Sequence, residues 1–327
     1  MDGEHQAMVL WWIMPCFNEE QVLPVTIPQV STALKKMIAV GLLDESSRIV
    51  FVDDGSKDAT WNLICEAHEH NPAITGLRLS RNYGHQNALV AGMMTARGQA
   101  DAVVTMDADL QDDIAAVTEM VKRCREGYDV VYGVRSSRDT DTAFKRGTAQ
   151  AYYRLLAWLG ADVVYNHADF RLLSRRALDA LAQFPERNLF LRGMVPMLGL
   201  RHTTVSYERH VRAAGETKYP LKKMLLFAWQ GITSLSIQPI HCIMVLGLII
   251  LFVSFIMMAW SLIQHFSGAT IAGWTSMMIS VWFIGGIVTV SLGVVGEYVG
   301  KTYLEAKRRP RYIIGEWCGL SQAGHME

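Results

Sequence analysis

The sequence predicts an α/β fold with a parallel sheet, followed by two membrane-spanning helices. Short apolar runs alternate with amphipathic stretches over roughly the first 130 residues, which is the pattern of repeated βα units. Polar and acidic motifs follow the apolar runs, at the strand ends where such sheets bind ligands. No Asp, Glu, Lys or Arg occurs between Lys223 and Glu297, and most of this stretch is strongly apolar.

The elements are predicted in order from these patterns. Apolar runs that end at turn or acidic residues predict strands at 9–14, 48–52, 74–79, 102–106 and 130–132. Apolar residues at helical spacing predict helices between them, at 22–40, 59–70, 85–96 and 114–125. Further along, the pattern predicts an amphipathic helix over 142–159 and a strand over 170–173.

Composition limits the possible classes of protein. The chain has 327 residues, no formal net charge and 50% hydrophobic residues, enough for one large domain and a smaller part. The neutral charge gives no argument for a nucleic-acid partner, and none is expected. The five cysteines are scattered without C-x-x-C or Cys/His spacing, so neither zinc nor a disulfide framework is predicted. The first residues lack a basic n-region, so no signal peptide is predicted.

Two apolar segments, at about 240–263 and 272–295, are each long enough to cross a hydrocarbon core of ~30 Å. Buried core helices are the alternative, but the length together with the absence of charge favours membrane spans. Lysines and arginines flank both segments and are missing from the link between them. The positive-inside rule therefore predicts that the two spans form a transmembrane hairpin with both termini cytoplasmic, in a multi-pass membrane protein.

The predicted domain organisation follows from these segments. Basic and aromatic residues just before the first span predict an interfacial helix. The predicted parts are a cytoplasmic α/β domain at 1–219, the interfacial helix at 220–236, the hairpin at 237–297 and a cytoplasmic basic tail at 298–327.

The motif Asp107-Ala108-Asp109 follows the strand predicted at 102–106. In an extended chain, residues i and i+2 point the same way, so both carboxylates are predicted to face one ligand, with Gln111 in reach. Hard oxygen ligands suit Mg²⁺ or Mn²⁺, which commonly bridge carboxylates to the phosphates of a substrate. A solvated acidic turn is the alternative, and it would be favoured if the motif stood alone.

Four motifs stand in order at predicted strand ends: Met-Pro-Cys-Phe-Asn-Glu-Glu at 14–20, Val-Asp-Asp-Gly-Ser-Lys-Asp-Ala-Thr at 52–60, Ser-Arg-Asn-Tyr-Gly-His at 80–85 and Asp-Ala-Asp-Leu-Gln at 107–111. Together they resemble the family 2 inverting glycosyltransferases, which have the GT-A fold. The segments 168–173, 212–219 and 296–312 are similar to polyprenyl-phosphate glycosyltransferases. With the two predicted spans, the chain is most similar to bacterial bactoprenol (undecaprenyl-phosphate) glucosyltransferases, over about residues 8 to 313.

Two departures from the family pattern are mild. Cys16 and Phe17 stand where many members have Val or Ala and Tyr, and Asp112-Asp113 stands where a Pro-rich turn is common. Neither changes the chemistry that the resemblance implies, although Asp112 could compete as a neighbour of the metal.

The resemblance implies transfer of a sugar, with glucose expected, from a UDP-sugar to undecaprenyl phosphate at the cytoplasmic membrane face. The product would serve O-antigen or cell-envelope glycan modification. It further implies inversion in a single displacement, Mg²⁺ or Mn²⁺ as cofactor, and a homo-oligomer, by resemblance a tetramer. Another sugar remains open (N-acetylglucosamine, galactose, a modified arabinose, or mannose from GDP-mannose), as does a non-catalytic membrane scaffold. A processive synthase is disfavoured because the chain has no Arg-Trp dipeptide.

The resemblance also implies roles for individual residues in donor binding. Asp109 is the expected metal ligand with Gln111 as a helper, while Asp107 faces either the ribose or the water shell of the metal. Of the pair Asp53 and Asp54, Asp53 is favoured for the nucleotide, and capping the Gly55-Ser56 turn is the alternative for one of them. The expected nucleotide-binding residues are Pro15, Phe17, Glu19, Asp53, Asp54, Asn82 and Asp107. Core packing is the alternative for Phe17.

Asp169 is the family-matched candidate for a catalytic base, acting with Asp107 and Asp109. A phosphate acceptor needs little deprotonation, since its second pKa is near ~6, so Asp169 could instead orient the acceptor. Cationic side chains are needed for the lipid phosphate, and arginine suits bidentate contact. The candidates are Arg135, Arg138, Lys145, Arg209, Arg212 and Lys218, for which a solvated surface is the alternative. His85 is expected to begin a helix rather than to bind metal.

Overall fold

The computed structural model describes residues 7–135, 167–187, 189–208 and 273–320, with isolated residues between 240 and 260. Its strands are β1 (Leu10–Cys16), β2 (Arg48–Asp53), β3 (Ile74–Leu79), β4 (Ala102–Thr105), β5 (Val130–Arg135), β6 (His167–Ser174), β7 (His202–Tyr207) and β8 (Ile314–Cys318). Its helices are α1 (Leu23–Ala39), α2 (Thr60–His70), α3 (His85–Ala96), α4 (Ile114–Arg125), α5 (Arg175–Ala182), α6 (Leu191–Met197) and α7 (Trp274–Ala306).

All eight strands form one sheet in the order β7-β5-β6-β4-β1-β2-β3-β8. The central strands pair in parallel, as the βα pattern predicts. The sheet as a whole is mixed, because β6 lies antiparallel between β4 and β5, and β8 lies antiparallel to β3. A strand buried on both faces is apolar throughout, so its residue pattern carries no information about its direction.

The core lies in two layers, one on each face of the sheet. Every residue of β1 is buried, and its side chains alternate between the layers, with Trp12 on one face and Trp11 and Ile13 on the other. Helices α1, α2 and α4 pack on the first face, and α3, α5 and α6 pack on the second. The α/β architecture predicted from the sequence is therefore confirmed.

Gly92 is required by the close approach of α3 to this sheet. A Cβ added there would lie 2.4 Å from Cγ2 of Ile13 and 3.0 Å from Cγ2 of Val52. We expect Gly92→Ala to destabilise the protein by about 1–3 kcal/mol, because overpacking forces side chains off their rotamers. Thermal unfolding would measure it, with Gly315→Ala as control, since the new methyl there meets no atom closer than 3.5 Å. Equal melting temperatures for the two variants would contradict this prediction.

Several predicted elements match the observed bounds closely. The predicted strand 74–79 and the helices 85–96 and 114–125 coincide with β3, α3 and α4. The sequence reasoning missed α5, α6, β7 and β8. The helix predicted at 142–159 and the interfacial helix at 220–236 lie outside the described residues.

Helix α7 has 33 residues and carries apolar side chains, many of them exposed. Among the described residues, one segment, Phe283–Ala306, is long and apolar enough to cross a membrane, judged by length and composition. The predicted second span, 272–295, falls largely within α7. Of the predicted first span, 240–263, only isolated residues are described, and these are helical. Within the segment predicted as a basic tail, α7 continues to Ala306 and β8 spans Ile314–Cys318.

The end of α7 contacts the loop that precedes α6. The backbone N–H of Arg187 donates to both carboxylate oxygens of Glu305, at 2.6 and 2.8 Å. The Arg187 guanidinium donates to the carbonyl of Arg308 at 3.1 Å, and Arg311 donates to the carbonyl of Phe184. The apolar helix is therefore anchored to the α/β domain next to α6, which contributes to the site described below.

Candidate functional site

The loops after β1, β2 and β3 meet at the carboxyl edge of the sheet and are tied together by hydrogen bonds. The backbone N–H of Asn18 donates to Oγ of Ser56 at 2.9 Å, and the N–H of Lys57 donates back to Oδ1 of Asn18 at 3.0 Å. The N–H of Glu19 donates to Oγ1 of Thr60 at 2.8 Å. The first two of the predicted motifs therefore meet at this edge of the sheet.

Asp53 and Asp54 both hold turns at this edge. Asp53 is fully buried, and its Oδ1 accepts from the N–H of Ser56 at 2.9 Å, so the Gly55-Ser56 turn is capped by the residue favoured for the nucleotide. Burial raises the pKa of Asp53, against the hydrogen bonds from Ser56 and the charge of Arg78. Asp54 accepts from the N–H groups of Tyr83 and Gly84, at 2.7 and 2.8 Å, and so fixes the start of α3.

A cavity of about 630 Å³ opens at the ends of β2 and β3. Phe17 and Asn82, two of the predicted nucleotide-binding residues, lie in its wall. Phe17 is 43% exposed, which excludes the alternative of core packing. Pro15, by contrast, is buried in β1 opposite Val52. Aromatic and polar groups thus share the wall of a cavity large enough for a nucleotide.

The acidic motif does not continue its strand as expected. Strand β4 ends at Thr105, and Leu110 has a positive φ of 56°, so Asp107 and Asp109 lie in a turn. Asp107 is exposed, whereas Asp109 is buried and its Oδ1 accepts from the N–H of Gln111 at 3.1 Å. The extended backbone that the sequence argument assumed for residues 107–109 is not observed, because a turn follows the end of β4.

Carboxylates nevertheless crowd this turn. Although the Asp107 side chain is half exposed, desolvation by its surroundings and the charges of Asp169, Asp112 and Asp109 raise its pKa to about 6, against the opposing effect of His85. The neighbouring donors are hard oxygens, which fit Mg²⁺ or Mn²⁺. Among the described residues, no group of three or more His, Cys, Asp or Glu side chains could hold an ion alone. The site fits an ion held by one or two carboxylates and completed by substrate phosphates.

Asp169 lies on β6 among three cationic or titratable side chains. The buried Arg171 donates to its Oδ1, and Nη2 of Arg192 donates to its Oδ2 at 3.2 Å. Nε2 of His85 lies 3.6 Å from Asp169 Oδ2 and 3.6 Å from Asp107 Oδ1. Although burial opposes it, the nearby His85 imidazole and the charges of the two arginines hold the pKa of Asp169 well below its usual range. Asp169 is therefore an ionised, oriented carboxylate.

Sequence reasoning missed Arg171 and Arg192 as members of the site. Arg171 is 2% exposed and also donates to the carbonyl of Leu191 at 3.1 Å, so it joins β6 to the start of α6. Arg192 is the single charged residue in the apolar run from Leu189 to Val195, and this feature of the sequence could have identified it as a candidate. His85 does begin α3, as expected, and its side chain also lies between the carboxylates of Asp107 and Asp169.

The candidate cations for a lipid phosphate are only partly described. Nε of Arg135 donates to the Tyr207 hydroxyl at 3.4 Å, and its Nη2 lies 3.9 Å from Oδ1 of Asp112. The Tyr207 hydroxyl itself donates to Oδ1 of Asp112. Arg138, Lys145, Arg209, Arg212 and Lys218 lie outside the described residues.

The chain is similar in sequence to known glycosyltransferases. Residues 11–182 match the family described as Glycosyl transferase family 2. The chain is 49% identical over 306 residues to the uncharacterized glycosyltransferase YkoT of Bacillus subtilis (strain 168), covering 94% of this chain and 91% of the relative. It is 37% identical over 304 residues to the prophage bactoprenol glucosyl transferase homolog of Escherichia coli (strain K12), covering 92% and 97%.

One solved structure resembles nearly the whole chain. The mannosyltransferase PcManGT from Pyrobaculum calidifontis, in complex with GDP-Man and Mn²⁺, aligns over 93% of this chain and 87% of its own, with 16% identity and a TM-score of 0.43.

Proposed function

Because this chain belongs to glycosyl transferase family 2, we propose that it transfers glucose from UDP-glucose to a polyprenyl phosphate at a membrane surface. The GT-A fold expected from the motifs agrees with the family and with the observed sheet. The proposal of a polyprenyl-phosphate acceptor is supported by the relatives named bactoprenol glucosyl transferase, which match over nearly their full length. The observation that carries it is that His85 joins Asp107 of the acidic turn to the ionised Asp169, at the same edge of the sheet as the nucleotide-sized cavity.

The reaction is a single in-line displacement. An oxygen of the acceptor phosphate forms a bond to C1 of the sugar while the bond from C1 to UDP breaks, and the electron pair leaves on the β-phosphate oxygen. The configuration at C1 inverts. The acceptor is already largely ionised at neutral pH, so it needs no strong base. This agrees with a role for Asp169 in orienting reactants, since its low pKa makes it a poor proton acceptor.

We assign Asp109, with Asp107 and Gln111, to a bound Mg²⁺ or Mn²⁺. When bound, the ion would offset the negative charge that grows on the departing diphosphate. The chain's own residues complete the donor site: Phe17 and Asn82 from the cavity wall and Asp53 beneath the Gly55-Ser56 turn. Arg192 is 31% exposed and borders Asp169, which supports a role for its guanidinium in binding an anionic acceptor.

The apolar helix α7 would hold this site near lipid headgroups, so that a very hydrophobic acceptor need not leave the bilayer. In this proposal α7 belongs to a two-helix transmembrane hairpin, and the α/β domain and both termini lie on the cytoplasmic side. Anchoring of the end of α7 to the loop before α6 supports this view.

A lipid-extraction assay tests the proposal. Purified full-length protein in detergent would be incubated with undecaprenyl phosphate, Mn²⁺ and a panel of radiolabelled UDP- and GDP-sugars. We expect label in the lipid phase from UDP-glucose and its loss on metal chelation. Label from a different donor would change the assigned sugar, and no label from any donor would overturn the lipid-acceptor proposal.

Phe17→Ala should weaken donor binding. The aromatic ring lies in the cavity wall and is not packed in the core. Its removal is therefore expected to weaken nucleotide binding while changing the stability of the fold little. We expect KM for UDP-glucose to rise about tenfold with little change in melting temperature, since a lost base–aromatic contact is worth about 1–3 kcal/mol. Val40→Ala, which shortens a side chain that is 76% exposed, is the control. An unchanged KM would remove Phe17 from the donor site.

A further inference from the structure

The edge of the sheet beside the cavity is supplied by the far end of the chain. Strand β8 follows the apolar helix α7 and pairs antiparallel with β3, with Trp317 opposite Leu77 and Glu316 opposite Arg78. Gly315 and Glu316 lie in the cavity wall with Phe17 and Asn82. The proposed donor site is therefore bounded by residues from both ends of the described chain.

Glu316 is held by two donors from different elements. Its Oε1 accepts from Nη1 of Arg78 on β3 at 2.8 Å, and its Oε2 accepts from Nε1 of Trp61 on α2 at 3.0 Å. The carboxylate is 55% exposed, and exposed ion pairs contribute little to stability. The contribution of Glu316 is therefore to geometry, because one bond on each oxygen fixes where the Arg78 guanidinium can lie.

Arg78 in turn faces the buried carboxylate of Asp53. Its Nε lies 3.3 Å from Oδ2 of Asp53, and its Nη2 donates to the carbonyl of Ser56 at 3.4 Å. Within the described part of the chain, Oδ2 of Asp53 is buried without a hydrogen-bond partner. An arginine side chain has several rotatable bonds, so without Glu316 the guanidinium would be free to leave Asp53 for solvent.

We infer that Glu316 is a positioning residue of the donor site, which holds the Arg78 guanidinium in the cavity wall, against the buried Asp53, where a nucleoside diphosphate would bind. This inference rests on the proposed function, in which the cavity binds the nucleotide of the sugar donor. It implies that the donor site is complete only when the chain beyond α7 is docked on the sheet. The membrane helix and donor binding are thereby linked through β8.

The test measures nucleotide binding apart from transfer. For the full-length protein in detergent, calorimetry with UDP, and with GDP in parallel, gives Kd in the presence of Mn²⁺, and the lipid assay gives kcat and KM. For Glu316→Gln we expect Kd for UDP and KM for UDP-glucose to rise five- to tenfold, with kcat changed less than twofold. An amide cannot offer two anionic oxygens to Arg78 and Trp61 at once.

Two further variants sharpen the test. Glu69→Gln removes an exposed carboxylate from α2 and is expected to leave all three constants at wild-type values. Arg78→Gln is expected to weaken UDP binding to the same degree as Glu316→Gln, and the double variant no more than either alone, because the two side chains act as one unit.

Other outcomes overturn the inference. A Kd within twofold of wild type for Glu316→Gln would do so, as would a fall in kcat and melting temperature at unchanged Kd, which is the sign of a merely structural strand. Failure of the proposed function looks different, since the wild type would then bind UDP and form no lipid product. Binding of neither nucleotide by the wild type would overturn both.

Discussion

Asp109→Asn is expected to abolish metal-dependent sugar transfer, lowering kcat by about three orders of magnitude or more. An ion that offsets the charge of a leaving group contributes several kcal/mol to the transition state, and each 1.36 kcal/mol is about tenfold in rate. Asp109 is buried at the turn after β4, and its Oδ1 accepts from the N–H of Gln111. Asparagine keeps that acceptor and the side-chain volume, so we expect the turn to persist while the charge is lost.

The neighbouring Asp113 provides a matched control. It is the N-cap of α4, and its Oδ1 accepts from the N–H of Ala115 at 2.8 Å. Asparagine is an equally good N-cap, so Asp113→Asn should keep both stability and activity. The measurement is lipid-phase label from UDP-glucose, together with calorimetric binding of Mn²⁺ in the presence of UDP. If Asp109→Asn retained activity within tenfold of wild type, Asp109 would not be a metal ligand.

The parts of the fold that the sequence predicts well are those set by local periodicity. Strand β3 and helices α3 and α4 coincide with their predicted bounds, because apolar residues recur there at the spacing of one element and turn residues end it. Strand β8 was missed for the opposite reason. It is five residues long, follows a long apolar helix, and is a strand only because it pairs with β3 more than 230 residues earlier.

The candidate site divides in the same way. The acidic motifs were found because polar residues at the ends of parallel strands meet at one edge of the sheet. The geometry of the acidic motif at 107–109 was not predicted, since the turn at Leu110 leaves Asp107 exposed and Asp109 buried. The partners of Asp169 could not be found from spacing either. His85 comes from α3 and Arg192 from α6, and only the packing of those helices on one face of the sheet brings them together.

Asp169→Asn is expected to lose both activity and stability. Its carboxylate is 14% exposed and compensates Arg171, which is 2% exposed, so neutralising it leaves an unpaired buried charge. Removing one partner of such a pair costs about 3–5 kcal/mol, whereas an exposed pair costs about 1 kcal/mol or less. Asp179→Asn is the control, because that carboxylate meets Arg97 at 2.7 Å with both side chains about half exposed.

The double variant Asp169→Asn with Arg171→Met separates the two losses. With the buried charge also removed, we expect it to regain stability over Asp169→Asn, although only in part, since the Leu191 carbonyl loses its donor. Activity should not return, because the proposed orienting carboxylate between His85 and Arg192 is still missing. Thermal unfolding and lipid-phase label, measured on the same preparations, decide the matter. Activity that recovers together with stability would reduce Asp169 to a structural counter-ion of Arg171, and sugar transfer would then depend on the acidic turn alone.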